Sequence, residues 1–136
     1  MKIFSMCFLS ILLVSCAGSP TLPPKLPESA SFGWKLKDIA ETNPDAAPDS
    51  VRGLGFSKSW RAQYTGPGVA NVDVYALKSE AAGLEMTQKW RASAQTVTVF
   101  NAKYFVVIHW QMADNASATA LVGQIERSLP RSPRSQ

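Results

Sequence analysis

The stretch YFVVIHWQM, residues 104–112, decides the fold of this chain. Its residues favour β-structure, and both of its alternating faces are apolar over most of its length. A strand with two apolar faces is typical of the middle of a sheet. We therefore predict that residues 104–112 form a central strand.

Four further segments around this stretch are predicted strands: residues 96–100 are rich in residues that favour β-structure, and the other three alternate between apolar and polar residues with the period of a strand. Residues 96–100 come just before it, and Phe32, Trp34 and Leu36 alternate with polar neighbours near the other end of the chain. Residues 58–65 and 69–77 are separated by Gly66-Pro67-Gly68, which is typical of a turn. These last two segments predict a β-hairpin.

Two segments have helical spacing instead. Ser79 is a predicted N-cap for a helix that runs to about Arg91. Asp114 or Asn115 begins the second predicted helix, and Pro130 ends it. An apolar stripe follows the second helix at Ala118, Leu121, Val122, Ile125 and Leu129.

From residue 58 onward the predicted order is ββαββα. This order predicts an α+β domain, in which an antiparallel sheet of about four to five strands carries two main helices on one face. The domain is expected to span residues 32–129. Residues 130–136 are polar and broken by prolines, and they predict a disordered tail.

The first 15 residues predict an export signal. Lys2 precedes a short apolar run that ends at Ser15, well below the roughly 20 residues of a membrane-spanning helix. Leu13, Val14, Ser15 and Cys16 resemble the lipobox of bacterial lipoproteins position by position. The resemblance implies cleavage before Cys16, lipid on its thiol and amine, and anchoring in a membrane.

The resemblance also implies a location in the cell envelope. By analogy with lipoproteins of two-membrane bacteria, Ala17 after the cysteine implies sorting to the outer membrane, facing the periplasm. Residues 16–31 contain four prolines among small residues and predict an extended tether.

The composition limits which cross-links, partners and cofactors the chain is expected to have. The only other cysteine, Cys7, leaves with the predicted signal, so the mature chain has no disulfide and depends on packing. The chain carries a formal charge of +4, but it has no compact basic stripe, and export excludes nucleic acid as a sensible partner. No cofactor is predicted.

His109 is the only histidine. It is a candidate general base, or a metal ligand together with Asp73 or Asp114, but no second histidine or thiol accompanies it in the mature chain. We therefore predict no metal site and no catalytic residue. The alternative is that His109 has only a structural role, as a partly buried residue of the sheet or at an interface.

Seven aromatic residues form the most suggestive group: Trp34, Trp60, Tyr64, Tyr75, Trp90, Tyr104 and Trp110. Exposed rings would stack on sugars or contact acyl chains, but a small domain without disulfides also needs bulky core residues. The core interpretation is favoured. Tyr75 is the best candidate for exposure because it shares a strand face with Asp73, so Tyr75, Asp73 and His109 are the candidate ligand contacts.

From residue 57 to residue 129 the chain resembles an uncharacterised family of exported bacterial domains. The segments that carry this resemblance are residues 64–66, 72–75, 88–91 and 104–107. The resemblance implies a single α+β domain and no known activity.

Three hypotheses of function remain open. The first is a lipid-anchored, non-enzymatic interaction module that binds an envelope protein. The second is a periplasmic protein that binds a lipid or glycan with exposed aromatic residues. The third is a hydrolase that uses His109.

Overall fold

The computed structural model describes residues 21–49, 52–53, 56–91, 93–101 and 103–131. The strands are β1 (Ser29–Ala30), β2 (Trp34–Thr42), β3 (Phe56–Thr65), β4 (Val69–Leu77), β5 (Thr96–Asn101) and β6 (Tyr104–Gln111), and the α-helices are α1 (Glu80–Lys89) and α2 (Asn115–Ser128). Single 3-10 turns lie at Ser31–Gly33 and Pro44–Ala46. Neither helix is long and apolar enough to cross a membrane.

The six strands form one antiparallel sheet in the order β1-β2-β3-β4-β6-β5. The predicted α+β class and antiparallel sheet are confirmed, and from β3 onward the elements follow the predicted ββαββα order. The predicted count of four to five strands is wrong, because the two residues of β1 add a sixth strand that is too short to show a pattern. β6 is bonded on both sides, by β4 and by β5.

The two helices lie on opposite faces of the sheet, so the expectation that both cover one face is wrong. Even-numbered residues of β6, such as Val106 and Ile108, pack in the cluster that contains Leu121 and Ile125 of α2. Odd-numbered residues, such as Phe105, pack in the cluster that contains α1. Successive side chains of a strand point to opposite faces. The apolar character of both faces of β6 therefore reflects two covering helices.

The α2 face holds the larger core. Its cluster joins β3, β4, β5 and β6 to the buried stripe of α2, and the Trp34 indole Nε1 donates a buried hydrogen bond of 2.9 Å to the Ser117 carbonyl oxygen. Helix α2 contacts both β1 and β5, the two edge strands. The sheet therefore curls around α2.

The α1 face holds a smaller core at one end of the sheet. Tyr75 contacts Phe56 edge to face at 5.1 Å between ring centroids, and Met86 of α1 is fully buried in the same cluster. Gly83 of α1 lies against the Phe100 ring of β5, where a Cβ would collide. Helix α1 packs against this end, whereas Arg61 and Gln111, farther along the same face, are exposed.

Residues 21–30, which we call the N-terminal strap, pack against the domain. Leu26 is buried in the larger core, and β1 pairs with β2. The Tyr104 hydroxyl donates to the Leu22 carbonyl oxygen, and the Tyr64 hydroxyl donates to the Pro27 carbonyl oxygen. Prolines favour an extended chain, but the tyrosines satisfy its carbonyls and the core accepts Leu26. The packed chain thus extends at least ten residues before the predicted boundary at Phe32.

The predicted N-cap of α1 is present, and Asp114, one of the two predicted first residues of α2, is the N-cap of that helix. The Ser79 Oγ accepts a hydrogen bond from the Ala82 amide at 3.2 Å, and an Asp114 carboxylate oxygen accepts one from the Ser117 amide at 2.9 Å. Helix α2 ends two residues before Pro130, as expected for a residue that cannot continue a helix. Three predicted features lie outside the described residues: most of the tail, at residues 132–136, the signal at residues 1–15, and the lipobox Leu13, Val14, Ser15 and Cys16.

Candidate functional site

A cavity of about 470 Å³ opens on the α1 face, beside the end that α1 covers. Its volume lies within the range of small-ligand sites. We call it the polar groove and define it by eight residues that line it: Ser59, Arg61, Asn71, Asp73, Tyr75, Trp90, Thr96 and His109.

Strand register places the polar residues of the groove floor in two neighbouring rows. In one row, Arg61 of β3 is opposite Asp73 of β4. In the next row, Asn71 of β4 is opposite His109 of β6, which is opposite Thr96 of β5. Directly opposite side chains on one face lie about 5 Å apart, so each row forms a continuous polar surface.

Arg61 and Asp73 form a two-point ion pair across β3 and β4. Arg61 Nε donates to one carboxylate oxygen at 2.7 Å, and Nη2 donates to the other at 3.3 Å. The hydrogen bond and then the charge of Asp73 raise the pKa of the Arg61 guanidinium above its usual value. The Asp73 side chain is 26% exposed and that of Arg61 is 59% exposed, so both remain within reach of a ligand.

His109 is half-buried and contacts a hydroxyl. Its Nδ1 lies 2.9 Å from the Thr96 Oγ1, and the Ser93 hydroxyl donates to the same oxygen at 2.9 Å. No carboxylate hydrogen-bonds to the His109 ring among the described residues. A base and a hydroxyl are therefore paired here, without the third group that orients the base in a catalytic triad.

Tyr75 lies at the buried end of the groove, so the expectation of an exposed ring is wrong. It keeps 5% of its surface, because Phe56 and Phe105 flank its ring. Burial, and then the negative charge of Asp73, raise the pKa of the Tyr75 hydroxyl to about 12, against the opposing charge of Arg61. The hydroxyl therefore stays protonated at neutral pH and is able to donate a hydrogen bond.

The walls of the groove come from two connecting segments. Asn43 and the 3-10 turn that follows it lie along one side, where Thr42 and Ser59 hydroxyls are 2.7 Å apart. Trp90, the residue after α1, lies on the other side, and its ring is 5.8 Å from that of Phe105. Trp90 is half-buried and so presents part of its ring to the groove.

Charge in the groove is balanced. Among the lining residues that the structure describes, Arg61 and Asp73 carry the formal charges, and they neutralise each other. The remaining polar groups are amides, hydroxyls and one imidazole. Such a surface fits a neutral or dipolar ligand better than a strongly charged one.

Two acidic residues outside the groove have local roles. Glu85 forms an ion pair of 2.9 Å with Lys89 on α1, and Asp114 caps α2. Asp114 therefore does not join His109. In the part of the chain that the structure describes, no three potential ligands of a metal ion come together.

Most of the aromatic group is core. Trp34, Trp60, Tyr64, Tyr104 and Trp110 are buried together with Tyr75, whereas Trp90 is half-buried. This removes the exposed aromatic surface on which the lipid hypothesis rested. Three residues of this group, Trp60, Tyr75 and Trp90, line the cavity.

The three predicted ligand contacts, Asp73, Tyr75 and His109, thus all line the polar groove. Sequence reasoning missed Arg61, Asn71, Thr96 and Trp90 as their neighbours. Arg61 was visible as a polar position of its strand, but its pairing with Asp73 depends on hairpin register.

Comparisons of the chain with protein families, with curated proteins and with solved structures found no match. The resemblances to bacterial lipoproteins and to an uncharacterised exported family therefore stay predictions.

Proposed function

We propose that this chain is a lipid-anchored protein of the bacterial cell envelope that binds a protein partner in its polar groove without catalysing a reaction. The observation that carries the binding role is the groove itself: an open, charge-balanced surface of hydrogen-bonding side chains with a half-buried tryptophan at its wall. The lipobox residues carry the anchoring role.

The groove chemistry suits the polar backbone of a partner. Asn71 offers an amide, and Thr96 offers a hydroxyl, so both donors and acceptors are present. The exposed Arg61–Asp73 pair presents donors and acceptors in fixed positions, because each side chain holds the other. A fixed polar surface binds with less loss of side-chain entropy than a mobile one.

Anchoring is tested by the two cysteines of the precursor. We expect radiolabelled palmitate to be incorporated into the wild-type chain and into Cys7→Ser, but not into Cys16→Ser. Cys7→Ser is the matched control, because it removes a thiol from the signal and leaves the lipobox intact. Equal labelling of Cys16→Ser would refute the anchor.

Partner binding is tested by chemical crosslinking in intact cells, affinity capture and mass spectrometry. Arg61→Ala removes the cation of the Arg61–Asp73 ion pair in the groove. Lys89→Ala is the matched control, because it removes the cation of the Glu85–Lys89 ion pair on the outside of α1. We expect one envelope protein to be captured by wild type and Lys89→Ala, and at least fivefold less of it by Arg61→Ala. Equal capture by both variants would exclude the groove as the binding site.

A glycan is the second candidate ligand, and a specific observation favours it. Trp90 and Tyr75 line a groove whose other residues include amides and hydroxyls, and aromatic residues with a polar edge are common where a ligand is partly apolar. Sugar that co-purifies with wild type and Lys89→Ala but not with Arg61→Ala, in the absence of a protein partner, would support this function instead.

A hydrolase is the least supported candidate. It would need the His109 imidazole to activate the Thr96 hydroxyl. A His109→Ala strain that keeps the wild-type phenotype would exclude it.

A further inference from the structure

Strand β5 is an edge of the sheet without the usual protection against pairing. Its sequence, TVTVFN, has β-branched residues and neither charge nor proline, and Ser93, Ala94 and Gln95 before it are also uncharged. Natural edge strands usually carry lysine, proline or a bulge, because an open edge pairs with other chains. The register between β5 and β6 shows no bulge.

The hydrogen-bond pattern shows which backbone groups of β5 face outward. The Trp110 amide donates to the Gln95 carbonyl oxygen at 3.0 Å, so these two residues form a hydrogen-bonded pair. Such pairs alternate along an antiparallel ladder, so Val97 and Val99 also bond to β6. The amide and carbonyl groups of Thr96, Thr98 and Phe100 therefore point to the open edge. No described group bonds to the amide or carbonyl of these three residues on that side.

The outward groups of β5 are complementary to themselves. When two copies of β5 pair antiparallel about Thr98, Thr98 is opposite its own copy and Thr96 is opposite Phe100. Each of these pairs joins residues with outward amide and carbonyl groups, as a hydrogen-bonded pair requires. On the other face, Val97 comes opposite Val99, which is a favourable β-branched contact, and no like charges meet.

We propose that the open edge of β5 pairs with β5 of a second copy of this chain, so that the two sheets become one continuous antiparallel sheet. The absence of charge along the strand favours identical strands, because a charged edge would repel its own copy. The second copy would place its Phe100 beside Thr96, at the side of the polar groove where Thr96 contacts His109. This inference does not depend on the partner or the lipid anchor of the proposed function.

A single introduced thiol tests the pairing in intact cells. Residues that form a hydrogen-bonded pair have Cα atoms about 5.5 Å apart, within disulfide range. We expect full-length Thr98→Cys to form a disulfide-linked dimer on a non-reducing gel after mild oxidation. Thr87→Cys, at an exposed position on α1, is the matched control and should stay monomeric. A monomeric Thr98→Cys, or a crosslink to a different protein, would overturn the proposal.

A second experiment tests the backbone bonds themselves. Thr98→Pro removes an amide that makes no bond within the sheet, and edge strands accept proline at such positions. Thr98→Val removes the hydroxyl and keeps the amide. We expect two chains per particle by sedimentation in mild detergent for wild type and Thr98→Val, and one for a folded Thr98→Pro. A wild-type chain that sediments as a monomer at all concentrations would overturn the pairing.

Discussion

The hydroxyl of Tyr104, at the start of β6, donates a hydrogen bond of 2.9 Å to the carbonyl oxygen of Leu22. The two residues are 82 positions apart in the sequence. This bond holds the beginning of the N-terminal strap against the sheet, and Leu26 then enters the core. Residues 22–30 of the predicted tether are therefore part of the packed domain.

The strap contributes to folding stability. Leu26 is 6% exposed and Leu22 is 73% exposed. Substitution of Leu26 therefore tests the packing of the strap, and substitution of Leu22 is the control. We expect Leu26→Ala to lower the free energy of unfolding in urea by about 2–5 kcal/mol, because it leaves a cavity in the core. Leu22→Ala should change it by less than about 0.5 kcal/mol. Equal, small effects would mean that residues 21–30 are a free tether.

Substitution by alanine should change the stability of the chain in opposite directions at two helical glycines. A Cβ at Gly83 collides with the Phe100 ring, whereas a Cβ at Gly123 meets only the flexible end of Arg127, at 3.3 Å. We expect Gly83→Ala to destabilise the chain by about 1–3 kcal/mol through overpacking. Gly123→Ala should stabilise it by about 0.5–1 kcal/mol through helix propensity. Thermal unfolding measures both, and a stabilised Gly83→Ala would contradict the placement of α1.

Trp34 links the start of β2 to α2. Trp34→Phe removes the hydrogen bond to the Ser117 carbonyl oxygen and part of the ring volume at a fully buried site. We expect a loss of about 2 kcal/mol, from the bond and the cavity together. The control is Trp90→Phe at a half-buried position, which should cost less than about 1 kcal/mol. The reverse ranking in urea unfolding would contradict the packing of α2 on this face.

Alkaline pH should unfold the domain through its tyrosines. Burial raises the pKa of all three, Tyr64, Tyr75 and Tyr104, and that of Tyr75 reaches about 12. A tyrosine ionises near pH 10 in an unfolded chain. The stability linked to these hydroxyls is therefore complete below pH 10 and is lost as pH rises toward 12.

Ultraviolet absorbance of tyrosinate measures this transition. In the folded chain we expect little absorbance near pH 10 and then a rise that coincides with the loss of circular dichroism, whereas in urea the rise should occur near pH 10. Tyr75→Phe should move the unfolding midpoint to higher pH. Early ionisation with the fold intact would show that the rings are accessible.

Much of the fold could be predicted from local patterns. Alternation located β3, β4 and the start of β2, β-forming residues located β5 and β6, and helical spacing located α1 and α2. Ser79 was identified as a cap because a cap involves residues only three apart. β1 could not be predicted, since two residues show no period. Asp73, Tyr75 and His109 were selected individually, whereas their neighbours in the groove were not.

The sequence by itself determined β3 to β6, the two α-helices, the order of these elements and the apolar character of β6, because these depend on residues within a few positions of one another. Only the tertiary structure decided that α1 and α2 cover opposite faces, that the strap packs, and that Arg61 meets Asp73 beside the row of His109 and Thr96. Those features depend on register and on contacts between distant segments. The apolar faces of β6 indicated a central strand, but only the packing placed one helix on each face of the sheet.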